Sequence, residues 1–157
     1  MTIAKQNYNF QKVVVVTGVV LFIVKLVAWY LTNSVAILTD ALESTVNVTS
    51  GFIGLYSLYI SAKPKDTLHP YGHGKVEFIS AAIEGTLIAC AGLLIIYEAA
   101  KNLGDPQPVA QLDYGILLIT ATAAINYLVG ALAVKKGRKN NSLALLASGK
   151  HLQSDTY

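Results

Sequence analysis

Five apolar stretches alternate with short polar connections along this 157-residue chain: Val13 to Leu31, Val35 to Ala62, Phe78 to Ala100, Tyr114 to Val134, and Ser142 to the last residue, Tyr157. A helix rises about 1.5 Å per residue, so roughly 18 to 20 apolar residues cross a hydrocarbon layer of about 30 Å. The first four stretches exceed that length, and the fifth meets the end of the chain before reaching it. The pattern predicts an all-α fold, a polytopic transmembrane helix bundle with four complete spans plus the start of a fifth. Pro64, Pro70, Pro106 and Pro108 fall in connections, where they interrupt no helix. Residues 1–157 read as one transmembrane domain cut off inside a span, with no internal repeat, low-complexity tract or soluble domain.

Composition agrees: 54% of residues are hydrophobic, only 13% are charged, and the mean hydropathy is +0.50, too apolar for a soluble domain of this size to cover. Charge sets the orientation. Lys5, Lys12, Lys63, Lys65, Lys75, Lys135, Lys136, Arg138 and Lys139 fall in the N-terminal arm and on alternate connections, whereas Lys101 is the sole cation expected on the opposite side. Cationic loops resist translocation, which places the N-terminus in the cytoplasm. The net charge of +3 follows from this asymmetry, and the lack of a basic, aromatic-interleaved surface argues against nucleic acid as a partner. The first span is too long for a signal peptide and has no clear cleavage site. Cys90 is the only cysteine, which excludes an intrachain disulfide and suggests a buried packing thiol. Asn47-Val-Thr49 matches a glycosylation acceptor but lies within an apolar span, where glycosylation does not occur.

Charges inside such spans are expensive and usually mark a pathway. In the second span Asp40, Glu43, Ser44, Asn47, Ser50, Gly51 and Gly54 recur at intervals of three and four and so share one helix face. Small residues in that register can simply pack helices, but packing needs no carboxylate at Glu43. The fifth stretch carries His151-x-x-x-Asp155 at the same spacing. Counted inward from opposite surfaces, Glu43 and Asn47 lie about 12 and 18 Å deep, and His151 and Asp155 about 13 and 20 Å deep. The two spans run antiparallel, so Glu43 matches Asp155 in depth and Asn47 matches His151. Two carboxylates, an amide oxygen and an imidazole in one layer suit a divalent cation, or protons. Lys150 neighbours His151, but successive helical residues diverge by about 100°, so it need not face the ion. Lys25 and Asp40 reach about 9 and 8 Å and are expected to pair beside this layer.

A second cluster follows the second span: Asp66-x-x-His69-Pro70-Tyr71-Gly72-His73-Gly74-Lys75, then Glu77. A carboxylate and two imidazoles within eight residues form either a ligand set or a hydrogen-bonded turn, and chemistry alone leaves the two equal.

Ser34-Val-Ala-Ile-Leu-Thr-Asp40-Ala, Glu43-x-x-x-Asn47, the D-x-x-HPYGHGKVE loop from Asp66 to Glu77, and His151-x-x-x-Asp155 together resemble the cation diffusion facilitator family of metal exporters. The resemblance covers nearly the whole chain in order, and the HPYGHGK-x-E loop is its most specific part. It implies a homodimeric divalent metal/proton antiporter of, for a bacterial member, the cytoplasmic membrane. Its transport site would use Glu43, Asn47, His151 and Asp155, and a loop metal site would map to Asp66, His69 and His73. Zinc is the first choice of cargo, with iron, manganese and cobalt as alternatives. The family commonly shows His or Asp followed four residues later by Asp in the second span, where this chain has Glu43 and Asn47. Members usually add a sixth span and a cytoplasmic C-terminal domain.

Metal needs deprotonated carboxylates and neutral imidazole, so metal and protons compete for these ligands and alternating access would exchange one for the other. The rival reading is an intramembrane metal-dependent enzyme in which His151 and Asp155 hold the metal and Glu43 acts as general base. It lacks a motif such as HExxH and leaves the loop cluster unexplained.

Overall fold

The computed structural model describes residues 2–32, 35–104 and 112–156, which form α1 (Ile3–Thr32), α2 (Val35–Ser61), α3 (Val76–Gly104), α4 (Leu112–Asn140) and α5 (Leu143–Ser154). There is no strand among the described residues. Among the described residues, the segments long and apolar enough to cross a membrane are Ile3–Thr32, Val76–Tyr97 and Leu117–Asn140, which is three where four were expected. The exception is α2, long enough at 27 residues but diluted in apolar character by Asp40, Glu43, Asn47 and its serines.

The helices run further than the apolar stretches. Lys5 and Lys12, expected in an arm, belong to α1, and Lys135, Lys136, Arg138 and Lys139, expected in a connection, belong to α4. Lysine and arginine are good helix formers, and their long stems keep the charge wet while the backbone continues. Two of these lysines lie over aromatic rings, Lys12 over Tyr8 at 4.5 Å and Lys136 over Phe10 at 4.7 Å from the centroid. The outer connections fall partly outside the described residues, at 33–34 and 105–111, and Lys101 lies within α3. Only Asn141 and Ser142 separate α4 from α5. Asn141 takes the left-handed conformation, φ 50°, that ends a helix and is tolerated by asparagine.

Polarity is distributed opposite to that of a soluble protein. Exposed side chains include Val16, Val20 and Ile23 on α1, Leu93, Leu94 and Ile96 on α3, and Leu128 and Leu132 on α4, while Asn7, Gln11, Lys25, Ser50, Glu84, Asn126, Ser148 and His151 are buried. A bilayer solvates the first group, and the second is gathered between the helices, where lipid cannot reach it. Cys90 is exposed on α3, not the buried packing thiol that was expected, because it sits on the face turned away from the other helices.

The most extensive packing joins α1 to α2 and α4 to α5, and α5 also contacts α2 and α3. Glycines let α5 seat closely. A Cβ at Gly149 would meet the Val134 nitrogen at 2.7 Å and the Gly130 oxygen at 2.8 Å, so only glycine fits between the two backbones. Two apolar clusters fill in around this seam: Val14, Ala133 and Leu152 with Phe10 and Val129, and Leu58, Ala144 and Leu145 with Tyr8 and Phe10.

Candidate metal transport site

The four residues expected to share a layer do so. Glu43 and Asn47 on α2, His151 on α5 and Asp155 at its C-cap line one cavity of about 160 Å³, closed on the third side by Ile88, Ala91, Gly92 and Ile95 of α3. Within this layer the Asn47 side chain is turned to the Asp155 carboxylate, and His151 Nδ1 lies 4.0 Å from Asp155 Oδ1. His151 is 4% exposed, whereas Lys150 beside it is exposed, as the helical rotation requires.

What distinguishes this cavity is unmet hydrogen-bonding capacity. Both ring nitrogens of His151, Asp155 Oδ2 and Asn47 Oδ1 are buried with no protein hydrogen-bond partner. Buried polar atoms are normally satisfied, and each orphan costs about 1 to 3 kcal/mol. Four lie around one pocket, and all are of types that can ligate a cation. Glu43, His151 and Asp155 are not drawn together as tightly as a closed site requires, because the ligand atoms of Asp66, His69 and His73 are the only such set within 4.8 Å of one another among the described residues. The midplane arrangement is an open site.

Lys25 and Asp40 pair as expected but stand outside the cavity. Lys25 Nζ donates to Asp40 Oδ1 and to Ser44 Oγ, both at 2.8 Å, and links α1 to the polar stripe of α2 one turn from Glu43. The pair neutralises a charge that the stripe would otherwise leave bare.

The loop cluster is a hydrogen-bonded turn whose three ligand-type side chains also converge, with one atom of each within 4.8 Å of the others. Asp66 Oδ1 accepts the backbone N–H of Leu68 at 3.0 Å and of His69 at 2.6 Å, and lies 2.9 Å from His69 Nδ1. Its Oδ2 is 3.4 Å from His73 Nε2. Gly72, at φ +86°, turns the chain so that the two imidazoles stack with centroids 4.3 Å apart. His73 Nδ1 is buried without a partner. The hydrogen-bonded His69 ring holds the Asp66 carboxyl below the ordinary aspartate range. A metal here would replace hydrogen bonds inside the turn, and the residues fit one.

Two further carboxylates, half-buried Glu77 and fully buried Glu84, make contacts that the sequence reading did not assign. Glu77, in the first turn of α3, accepts Ser142 Oγ at 2.6 Å and the Ala144 N–H at 3.3 Å on one oxygen, and Ser61 Oγ at 3.0 Å on the other. It therefore caps the N-terminus of α5, in place of Ser142, whose side chain makes no cap bond of its own. Glu84 is fully buried against Ser148, and Gln11 Nε2 donates to Ser148 Oγ at 3.1 Å and to the Gly51 carbonyl at 3.2 Å. A carboxylate within an apolar span was the available signal for Glu84, whereas Gln11 precedes the first apolar stretch and carried none.

A family model described as the cation efflux transmembrane domain matches residues 12–157. An uncharacterized transporter of Synechocystis is 41% identical over 133 residues, covering 85% of this chain and 43% of that protein. The cation-efflux pump FieF of Cronobacter sakazakii is 30% identical over 135 residues, 86% of this chain and 45% of the pump. FieF of Pectobacterium carotovorum is 28% identical over 138 residues, 88% of this chain and 46% of the pump. The chain thus spans less than half the length of these relatives. They are transporters and pumps, so the enzyme reading of His151, Asp155 and Glu43 falls away. The match over nearly all of the five helices shows that the chain belongs to the cation diffusion facilitator family, within its N-terminal transmembrane part.

Proposed function

We propose that this chain forms the ion-translocating part of an exporter that exchanges a divalent transition-metal cation for protons. The observation that supports this most directly is the cavity between α2, α3 and α5, where four buried ligand atoms of Asn47, His151 and Asp155 have no protein partner and Glu43 adds a second carboxylate. A divalent ion would take one ring nitrogen of His151 together with the Asn47 and Asp155 oxygens, and the two carboxylates would neutralise it. In its absence protons satisfy the same groups, which makes the two cargoes mutually exclusive. The relatives named as cation-efflux pumps support outward transport.

In this reading α2 is a fourth span, its polar stripe turned inward against α1, α3 and α5, and the N-terminus is cytoplasmic. The protein acts as a homodimer in a bacterial cytoplasmic membrane. Zinc is the preferred cargo because His151 supplies nitrogen and zinc accepts mixed ligands at four-coordination, with iron, manganese and cobalt as weaker candidates. Asp66, His69 and His73 hold a further ion at the cytoplasmic mouth and tune the rate. The wide midplane site closes on the ion when the helices rock, with Gly51 and Gly54 of α2 and Gly149 of α5 allowing close sliding contact.

The test is uptake of each metal into sealed vesicles carrying the reconstituted protein under an imposed pH difference. Zinc flux that depends on the pH difference and is lost in Glu43→Gln supports the reading. Flux indifferent to pH, or intact in Glu43→Gln, contradicts it.

A further inference from the structure

Glu84 has no charge to answer it. It is 0% exposed on α3, and no cation is paired with it among the described residues. The elements packed on α3 confirm this. From α2 the ionisable groups are Asp40 and Glu43, the first held by Lys25. From α5 they are His151 and Asp155, with Lys150 exposed. From α1 the neighbouring residue is the neutral Gln11, while Lys12 beside it lies over Tyr8. A bare buried carboxylate is costly, so the group is neutral or carries a cation.

The hydrogen-bond geometry suits the neutral form. Ser148 Oγ lies 3.2 Å from Glu84 Oε1 and 3.1 Å from Oε2, and it also accepts an N–H of Gln11 at 3.1 Å. A serine hydroxyl has one hydrogen to give and two lone pairs to accept. It can donate to only one carboxyl oxygen, and its remaining lone pair is matched when the other oxygen bears a hydrogen. With Gln11 Nε2 occupying the remaining approach, the pocket suits a protonated acid better than a metal ion. Gly54 closes it tightly, because a Cβ there would lie 2.9 Å from Gln11 Nε2 and Ser148 Oγ and 3.0 Å from Glu84 Oε1.

The neighbouring space leads towards the metal site. A cavity of about 10 Å³, lined by Asn47, Ser50, Ser148 and His151 among others, lies between the two layers. That is close to the smallest volume that holds one water, and Asn47 Oδ1, Ser50 Oγ and the His151 ring nitrogens around it are buried and unpartnered.

We propose that Glu84 is a proton-carrying carboxyl that relays protons through Ser148 between the cytoplasmic half of the bundle and the cavity of Glu43, Asn47, His151 and Asp155. In one transfer Ser148 first turns its hydroxyl hydrogen from the Glu84 carboxyl to a water in the small cavity that it lines. The Glu84 O–H bond then breaks as Ser148 Oγ takes that proton, Ser148 releases its original hydroxyl proton to the water, the water passes one proton into the metal-site cavity, and Glu84 is left a carboxylate until the next proton reaches it. One proton leaves Glu84 and one arrives; the serine and the water are unchanged. This role rests on the exchange reading above, but the protonation of Glu84 can be tested apart from it.

Infrared spectra of the protein in lipid vesicles at neutral pH, without metal, should show a protonated-carboxyl C=O band that is missing in Glu84→Gln and moves to higher frequency in Ser148→Ala, where the hydroxyl partner is gone. Stopped-flow addition of zinc with a pH indicator should then show proton release slowed about tenfold in Glu84→Gln, at an equilibrium zinc affinity changed less than about twofold. Identical infrared bands in wild type and Glu84→Gln would overturn the proposal. So would an unshifted band in Ser148→Ala, which decides the matter should Glu84→Gln fail to assemble. Zinc that binds without releasing protons in the wild type would instead sink the exchange reading, with the infrared result still deciding the state of Glu84.

Discussion

At the scale of single residues, the interior is governed by the expense of polarity in lipid. The Lys25–Asp40 pair shows it: the lysine side chain is 7% exposed and the aspartate 28%, so removing one partner strands a charge. Lys25→Met should destabilise the bundle by about 3 kcal/mol, and adding Asp40→Asn should recover part of the loss. Unfolding titrations of the two single variants and the double variant check this, and strict additivity would disprove the coupling. Asn47 sets ligand character. Converting it to aspartate adds a third anion, so Asn47→Asp should raise zinc affinity about tenfold and disfavour manganese. Competition titrations in nanodiscs read that ratio, and an unchanged ratio would remove Asn47 from the ligand set. Asp66 gives a pH prediction. Its carboxyl sits below the ordinary aspartate range because His69 bonds to it. The ordering it provides is therefore complete above about pH 4, the unfolded value, and is lost as pH falls through the depressed folded value. The protection of the Leu68 and His69 amides against hydrogen exchange, relative to their intrinsic rates at each pH, should be constant from neutral pH to that point and fall below it.

At the scale of elements, α5 is the helix on which the site depends, because it carries His151 and, at its C-cap, Asp155. Its contacts with α3 and α4 set where those side chains stand. Glu77 caps it from α3, and Gly149 lets it lie on α4 backbone to backbone. Gly149→Ala forces a Cβ to within 2.7 Å of backbone that cannot rotate away, so it should destabilise the α4–α5 pair by roughly 2 kcal/mol or more and weaken metal binding without touching a ligand. A variant with unaltered thermal stability and zinc affinity would show that this seam is looser than its geometry. The same element explains what was readable in advance. The i,i+4 spacing of Glu43 with Asn47, and of His151 with Asp155, together with helical rise, placed four side chains in one layer, since rise per residue is nearly invariant. Helix ends were not readable, because lysine-rich tails such as Lys135 to Lys139 favour helix as much as connection. Nor were the Glu77 cap and the Glu84–Ser148–Gln11 network, which join residues up to 137 positions apart and depend on helix rotation that periodicity leaves free.

At the scale of the whole molecule, apolar side chains outside and polar groups within make one consistent picture of a bundle that lipid solvates and a cation completes. The loop trio Asp66, His69 and His73 stands in the α2–α3 connection, beyond the helices, where water can replace a missing ligand, so His69→Ala with His73→Ala should slow zinc flux severalfold and not abolish it. The central claim is that metal and protons compete for the cavity of Glu43, Asn47, His151 and Asp155. It is tested most directly by counting protons released as zinc binds the reconstituted protein, in wild type and in His151→Ala, with insertion into the membrane checked in parallel. The account predicts proton release in step with zinc binding in the wild type and its loss in an inserted His151→Ala protein; equal release from both would contradict it.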